Sequence, residues 1–303
     1  MRKLLLLLDL ARSRSALLSL GEPAMGALLA AGGLPPTRVI LLGLLAALAG
    51  YFCVYALNDL LDLRADRREI ELAAAQPGSW EPQVPHIDIT TLRHPLAAGA
   101  LPLWAGIAWV AVLGAVGLGA AYLLRPLCAW LFVICALLQL IYCSLRHKTW
   151  LKVIPAGLMV GVGGLAGWFA AGQASWGTLA FFVLLVLWEI AGRNLSNDLA
   201  DVEHDRLVGI TTLASVRGPE TATRAIFVGA LLMPLVALLL TTPWPARLLL
   251  AAVALLTITW PAAILRRRSD AAEAQRYFNR ASLFPAGAAA GLLVLALAGL
   301  GGD

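Results

Sequence analysis

Charge is scarce in this chain. Asp, Glu, Lys and Arg make up 14% of its 303 residues against 60% hydrophobic residues, and the mean hydropathy is +0.81. That deficit excludes a water-soluble globular protein, which cannot hide repeated apolar runs of about 20 residues. No hydrophilic stretch is long enough for a second folded domain, so residues 1–303 read as a single membrane-embedded domain. Cysteine is also sparse. Cys53, Cys128, Cys135 and Cys143 lie in or beside apolar runs without zinc-type spacing, which points to buried thiols. The net charge of +5 is dispersed over loops flanking the apolar runs and forms no basic stripe. A lipid bilayer is therefore the expected partner, and nucleic acid is not. The opening Met1 to Leu10 carries Asp9 and lacks a small-residue cleavage site, so no removed signal peptide is expected.

The apolar sequence falls into nine candidate spans: Ala16 to Gly33, Val39 to Leu57, Leu96 to Leu123, Leu127 to Tyr142, Val153 to Ala171, Thr178 to Leu195, Ala225 to Leu240, Leu248 to Leu265 and Ala281 to Leu300. With the N-terminus cytoplasmic and the C-terminus outside, every basic residue falls on the inner side except Arg38, Arg125 and Arg247. The expectation is an all-α, multi-pass integral cell membrane protein. Residues 58–95 and 193–224 form its two conspicuous inner loops, and loops of that size in a terse chain are usually functional.

Those loops carry the same cassette, N-D-L-x-D-x-x-x-D, at Asn58 to Asp66 and at Asn197 to Asp205. Seven of the 18 acidic residues sit in the two copies. On a continuous helix, residues four apart share a face, so Asn58, Asp62 and Asp66 form one stripe and Asn197, Asp201 and Asp205 another. Asn194 extends the second stripe inward, while Asp59 and Asp198 flank the stripes. Carboxylate and amide oxygens without clustered His or Cys suit Mg²⁺ rather than Zn²⁺, and Mg²⁺ completes its shell with water and phosphate oxygens. The implied ligand is a phosphorylated or diphosphorylated lipid. A single copy could be a solvated helix end balanced by Arg64, Arg67, Arg68 and Arg206, but two copies at equivalent positions favour a metal site. An ion-coupled transporter would place its acids near the bilayer midplane, and intact cassettes argue against a silent scaffold. His86, His94, His147 and His204 are expected in loops or interfaces, not as ligands.

The order of motifs, N-D-x-x-D-x-x-x-D, then R-x-P-L-x-x-G at Arg93 to Gly99, then a basic loop, then D-x-x-D-x-E-x-D-R-x-x-G-I-x-T-L from Asp198, resembles the UbiA superfamily of intramembrane prenyltransferases over almost the whole chain. The resemblance implies a nine-transmembrane-helix bundle with a cytoplasm-facing active site. It also implies two Mg²⁺ ions holding an isoprenoid diphosphate between the motifs, with transfer to a small, by default aromatic, acceptor and release of pyrophosphate. A sugar phosphate, glycerol lipid or chlorin is the alternative acceptor. The metal ligands it implies are Asn58, Asp59, Asp62, Asp66, Asn197, Asp198, Asp201 and Asp205, with Asp62 and Asp201 central to catalysis. Arg64, Lys148 and Tyr142 would grip the diphosphate, Arg93 would anchor the loop and Asn194 would line the substrate. Glu22, an acid beside Pro23 in the first span, would touch the acceptor; an ionisable residue inside a membrane is costly and often functional. This chain departs from the family by a long insertion, Glu69 to Ile89, expected to form a lid, and by His94 between Arg93 and Pro95.

Overall fold

The computed structural model describes residues 2–75, 84, 85, 87, 92 and 94–300, all of whose regular elements are helices. In chain order they are α1 (Arg2–Leu10), α2 (Ser13–Ser19), α3 (Gly21–Ala31), α4 (Thr37–Leu61), α5 (Leu63–Ala75), α6 (Leu103–Leu124), α7 (Pro126–Leu145), α8 (Trp150–Ala171), α9 (Trp176–Ala200), α10 (Val202–Val208), α11 (Leu213–Arg217), α12 (Pro219–Leu238), α13 (Trp244–Arg268) and α14 (Ala271–Leu297). Eight of these, α4, α6 to α9 and α12 to α14, are long and apolar enough to cross a membrane. Helices are what apolar runs must form in lipid, because each satisfies its own backbone groups.

Two predicted boundaries move. The span expected from Leu96 starts at Leu103, because Pro102 has no N–H and takes the cap position, while residues from His94 to Gly99 fold as turns held by Ala98 N–H on the His94 carbonyl at 3.0 Å. The last span starts at Ala271 instead of Ala281, since the Asp270 carboxylate caps the Glu273 N–H at 2.7 Å. The first predicted span is α2 and α3, parted at Leu20, and neither alone is long enough to cross.

The largest core gathers buried Met25, Trp168, Phe181, Trp188, Tyr277 and Phe284. Helix α3 approaches α8 where both lack side chains: a Cβ on Gly167 would collide with the Pro23 carbonyl, and one on Gly26 with the Gly164 carbonyl. A smaller core joins Leu10 of α1 to Ala56, Leu96 and Leu101. Outside, Trp104, Trp176 and Trp244 are exposed at the starts of α6, α9 and α13, as an interfacial aromatic belt requires. At the end of the bundle remote from the cassettes, Arg38 donates to the Leu123 carbonyl at 2.6 Å and Arg125 to the Gly172 carbonyl at 2.9 Å. Two of the three basic residues expected outside thus close the C-terminal ends of α6 and α8.

Candidate active site

Both cassettes bend at their middle aspartate. Helix α4 ends at Leu61, Asp62 sits at φ −90°, ψ 3°, and α5 begins at Leu63; α9 ends at Ala200, Asp201 sits at φ −100°, ψ 15°, and α10 begins at Val202. The backbone bonds repeat as well. Asp62 N–H reaches Asn58 O at 2.9 Å and Asp66 N–H reaches Asp62 O at 2.9 Å, matched by 3.0 Å and 2.8 Å at Asp201 and Asp205. This sparsely populated backbone region recurs at active sites. The bend interrupts the continuous helix on which the stripes were drawn.

The two cassettes meet across basic side chains supplied by α7 and α8. Arg146, one turn after Tyr142, forms an ion pair with Asp62. Lys152, 2% exposed, sets its ammonium 2.8 Å from Asp198 Oδ1. Tyr142 lies within electrostatic reach of Lys152, Arg146 and Asp198. Asn58 Oδ1 accepts from Gln139 at 3.1 Å and Cys143 at 3.3 Å, and Asn197 donates to Asp201 at 3.4 Å. Burial, with the Asp198 carboxylate next and Asp201 after it, pushes Asp205 up to about 8, although Lys152 and Arg146 pull the other way. Asp198 Oδ2 is buried without a hydrogen bond. Carboxylate and amide oxygens from both cassettes, with an orphaned buried carboxylate oxygen among them, fit a hard divalent cation such as Mg²⁺.

The tail of the second motif fixes this arrangement. Gly209, at φ 75°, ends α10 in a conformation open to glycine, and Thr212 with Ser215 forms the capping box that starts α11. Between them Thr211 N–H bonds the Arg146 carbonyl at 3.1 Å and the Gly209 carbonyl meets His147 Nδ1 at 3.1 Å.

Of the residues singled out in the sequence, Asn58, Asp62, Tyr142, Asn197, Asp198, Asp201 and Asp205 converge here. Arg64 and Lys148 are exposed. Asp66 stays within electrostatic reach of Arg146, and both it and Asp59 face His94, whose Nδ1 is 3.1 Å and 4.0 Å from their Oδ2 atoms, while Arg12 lies 3.4 Å from Asp59 Oδ1. Arg93 lies outside the described residues, as does most of the insertion; of its described part, residues 69–75 belong to α5, and Pro85 and Ile87 hydrogen-bond Asn279 of α14 at 2.7 Å and 3.0 Å. Sequence reasoning missed Arg146 and Lys152. A signal existed for both: Arg146 shares a helix face with Tyr142 four residues earlier, and Lys152 immediately precedes the apolar run that starts at Val153.

A cavity of about 530 Å³ runs between α3, α4, α7, α8 and α9 from this cluster into the bundle, walled mainly by apolar side chains such as Phe132, Met159 and Leu34. Asn58, Tyr142 and Asn194 stand on its wall beside the cassettes. Within it lies a second polar group. Glu22, 1% exposed, accepts from Tyr51 at 2.6 Å through Oε2, and its Oε1 is buried without a hydrogen bond. Asn194 donates to Glu189 Oε1 at 2.6 Å, and Arg193 lies over the rings of Trp188 and Phe278 at 5.6 Å and 5.4 Å. These three come from a π-helical stretch, Trp188–Asn194, whose wider turn brings Asn194 back onto Glu189 five residues earlier.

Apolar helices surrounding an apolar cavity, with a doubled acidic motif and cations beside it, define an intramembrane protein shaped for an anionic head on an apolar tail. Residues 23–283 match the UbiA prenyltransferase family, and the chain belongs to it. It is 34% identical over 199 residues to a 4-hydroxybenzoate solanesyltransferase of Synechocystis sp., covering 63% of this chain and 60% of that one. It is 35% identical over 136 residues to a chloroplastic chlorophyll synthase of Avena sativa, covering 41% of this chain and 35% of that one. With a digeranylgeranylglyceryl phosphate synthase of Thermococcus kodakarensis it shares 25% identity over 74% of this chain and 72% of that one. The fold matches a UbiA homologue from Aeropyrum pernix with TM-score 0.71 at 20% identity, covering 92% and 97% of the two chains. It matches a UbiA homologue from Archaeoglobus fulgidus bound to DMAPP and Mg²⁺ with TM-score 0.70 at 17% identity, covering 95% and 99%.

Proposed function

We propose that this protein transfers an isoprenyl group from a polyprenyl diphosphate to a small, aromatic acceptor at the cytoplasmic membrane face, with Mg²⁺ and with release of pyrophosphate. The observation that carries this reading is the junction of an apolar cavity with two acidic bends and two cations, buried Lys152 and half-buried Arg146. Asn58 and Asp62 from one cassette and Asn197, Asp198, Asp201 and Asp205 from the other would hold two Mg²⁺ ions. When bound, Mg²⁺ supplies charge stabilisation on the departing diphosphate oxygens.

Arg146 and Lys152 offer guanidinium and ammonium hydrogens to the same diphosphate, releasing the carboxylates they now neutralise, and Tyr142 supplies a further hydroxyl donor. Donors fixed in a dry site favour the charge that builds as the carbon–oxygen bond breaks. The walls keep water from the allylic centre, and the Tyr51 and Phe132 rings offer π faces to positive charge. Glu22 and Tyr51, with Asn194 nearby, give the acceptor a polar seat inside the cavity. An aromatic acid or phenol suits such a seat, and the relatives include a 4-hydroxybenzoate solanesyltransferase beside a chlorophyll synthase and a digeranylgeranylglyceryl phosphate synthase. The inner position of the cassettes follows from the distribution of basic residues.

Purified protein given Mg²⁺, labelled geranyl, farnesyl or longer diphosphates, and a panel of phenolic and non-phenolic acceptors provides the test. Mg²⁺-dependent pyrophosphate release with a prenylated phenol is expected, and its loss in Asp62→Ala and Asp201→Ala. Absence of any Mg²⁺-dependent diphosphate binding would sink the enzymatic reading; turnover only with a glycerol lipid or chlorin would replace the acceptor.

A further inference from the structure

The polar end of the cavity carries more acid than base. Two carboxylates, Glu22 of α3 and Glu189 of α9, stand on its wall with Ser19, Tyr51 and Asn194. Among the described residues the wall has two cations, and each already faces an acid. Arg12 lies 3.4 Å from Asp59 Oδ1, and Arg193 lies 3.9 Å from Glu189 Oε2 and over the rings of Trp188 and Phe278. Arg193 is also within electrostatic reach of Glu22, so one guanidinium serves two carboxylates. Glu22 Oε2 takes the Tyr51 hydroxyl at 2.6 Å, whereas Oε1, on a side chain 1% exposed, has no hydrogen bond. Ser19 stands near the carboxylate without bonding that oxygen. An unmatched buried oxygen costs free energy that a ligand group can recover.

We propose that the acceptor meets Glu22 Oε1 with a neutral hydroxyl group and carries no carboxylate. This rests on the prenyl-transfer reading and chooses between the aromatic acid and the phenol that the seat admits. A hydroxyl completes Oε1 in either protonation state of Glu22, donating to the carboxylate or accepting from the acid. A carboxylate has no such match. It would shed its water in an apolar cavity beside two acids and a guanidinium that is already engaged. The neutral donors nearby are committed as well: the Tyr51 hydroxyl donates to Glu22 Oε2, and the Asn194 amide donates to Glu189 Oε1 at 2.6 Å. Neither can turn to an incoming anion without breaking an internal bond. Glu22 is thus a specificity residue that sorts acceptors by charge, and a seat built around a substrate hydroxyl rejects analogues that lack it.

The test uses full-length protein in nanodiscs with Mg²⁺ and a non-hydrolysable geranyl diphosphate analogue. Calorimetric titration first reads Mg²⁺-dependent binding of the analogue. In the loaded protein it then reads Kd for 4-hydroxybenzyl alcohol and for 4-hydroxybenzoate, which carry a hydroxymethyl group or a carboxylate on the same phenol. The alcohol is expected to bind at least about tenfold tighter to wild type. Glu22→Gln removes the charge and offers an amide donor, and is expected to bring the two within about threefold by strengthening the benzoate. Benzoate bound as tightly as the alcohol, neither phenol bound, or a preference unaltered in Glu22→Gln would overturn the proposal. The wild-type comparison stands even where the variant fails to fold. Absence of analogue binding brings down the prenyl-transfer reading itself, whereas analogue binding with benzoate preferred overturns the acceptor assignment alone.

Discussion

Lys152 opens an apolar helix with its ammonium on a carboxylate as buried as itself. Replacing it by Met leaves the Asp198 charge without that partner in a dry setting, and removal of one member of a buried ion pair costs about 3–5 kcal/mol. A clear fall in the thermal midpoint in detergent is expected for Lys152→Met, largely restored in Lys152→Met/Asp198→Asn. With donor present, Lys152→Met should also lower kcat by about 10²–10³, the scale seen when one fixed donor to developing charge is lost. Lys148→Met, at an exposed position, should stay within about threefold on the order expected of a surface change, and a larger loss would restore Lys148 to the site. The acidic cluster was legible because carboxylates are rare in this chain and repeat. Their basic partners were not, because a cation's position depends on the turn that carries it: Thr149 accepts Leu151 N–H at 3.2 Å and starts a short 3₁₀ turn, which delivers Lys152 inward.

Helix α9 absorbs an extra residue in the wide turn of its π-helical stretch. Deleting Ile190 would let the segment relax to an α-helix and leave the second cassette near its present face, while Asn194 and Glu189 lose their five-residue spacing. Mg²⁺-dependent diphosphate binding is expected to be kept and prenyl transfer to the acceptor to fall; lost binding would show that the stretch does set the register of the cassette. Gly192 lies within this stretch, whereas neither Gly nor Pro marks the bends at Asp62 and Asp201. Spacing four apart presumes one unbroken helix, so it grouped Asp66 with Asp62 and could not show that Asp66 also faces His94. The α3 and α8 crossing is the complementary case. A side chain at Gly167 must displace the Pro23 backbone, and Gly167→Val should cost about 1–3 kcal/mol as overpacking, read as a lower unfolding midpoint.

At the scale of the whole molecule, the cavity belongs to no single helix. It opens because small residues such as Gly43, Ala47 and Gly163 face one another from α4 and α8, a conjunction that hydropathy cannot reveal even where it finds the spans. A side chain added at Gly43 or Gly163 meets nothing within 4 Å, so it would occupy the cavity without disturbing the helices. Gly163→Phe is therefore expected to leave the unfolding midpoint unchanged and to shift the preference toward shorter diphosphates, measured as the ratio of kcat/KM for geranyl over a longer donor. An unchanged ratio would place the isoprenoid tail elsewhere. Eight of the nine spans were legible from apolar length alone, apart from starts that proline or an N-terminal cap moved, while the first is parted at Leu20 into two helices too short to cross.

The matched bends have one more consequence. Helices α4 and α9 each contain 25 residues, about 37 Å at the usual rise, and each stops at the aspartate that bends. They act like calipers with arms of equal length, and the bilayer holds the arms level. A thinner membrane would tilt both together, so the gap between the tips should survive changes in lipid that alter the tilt of the whole bundle.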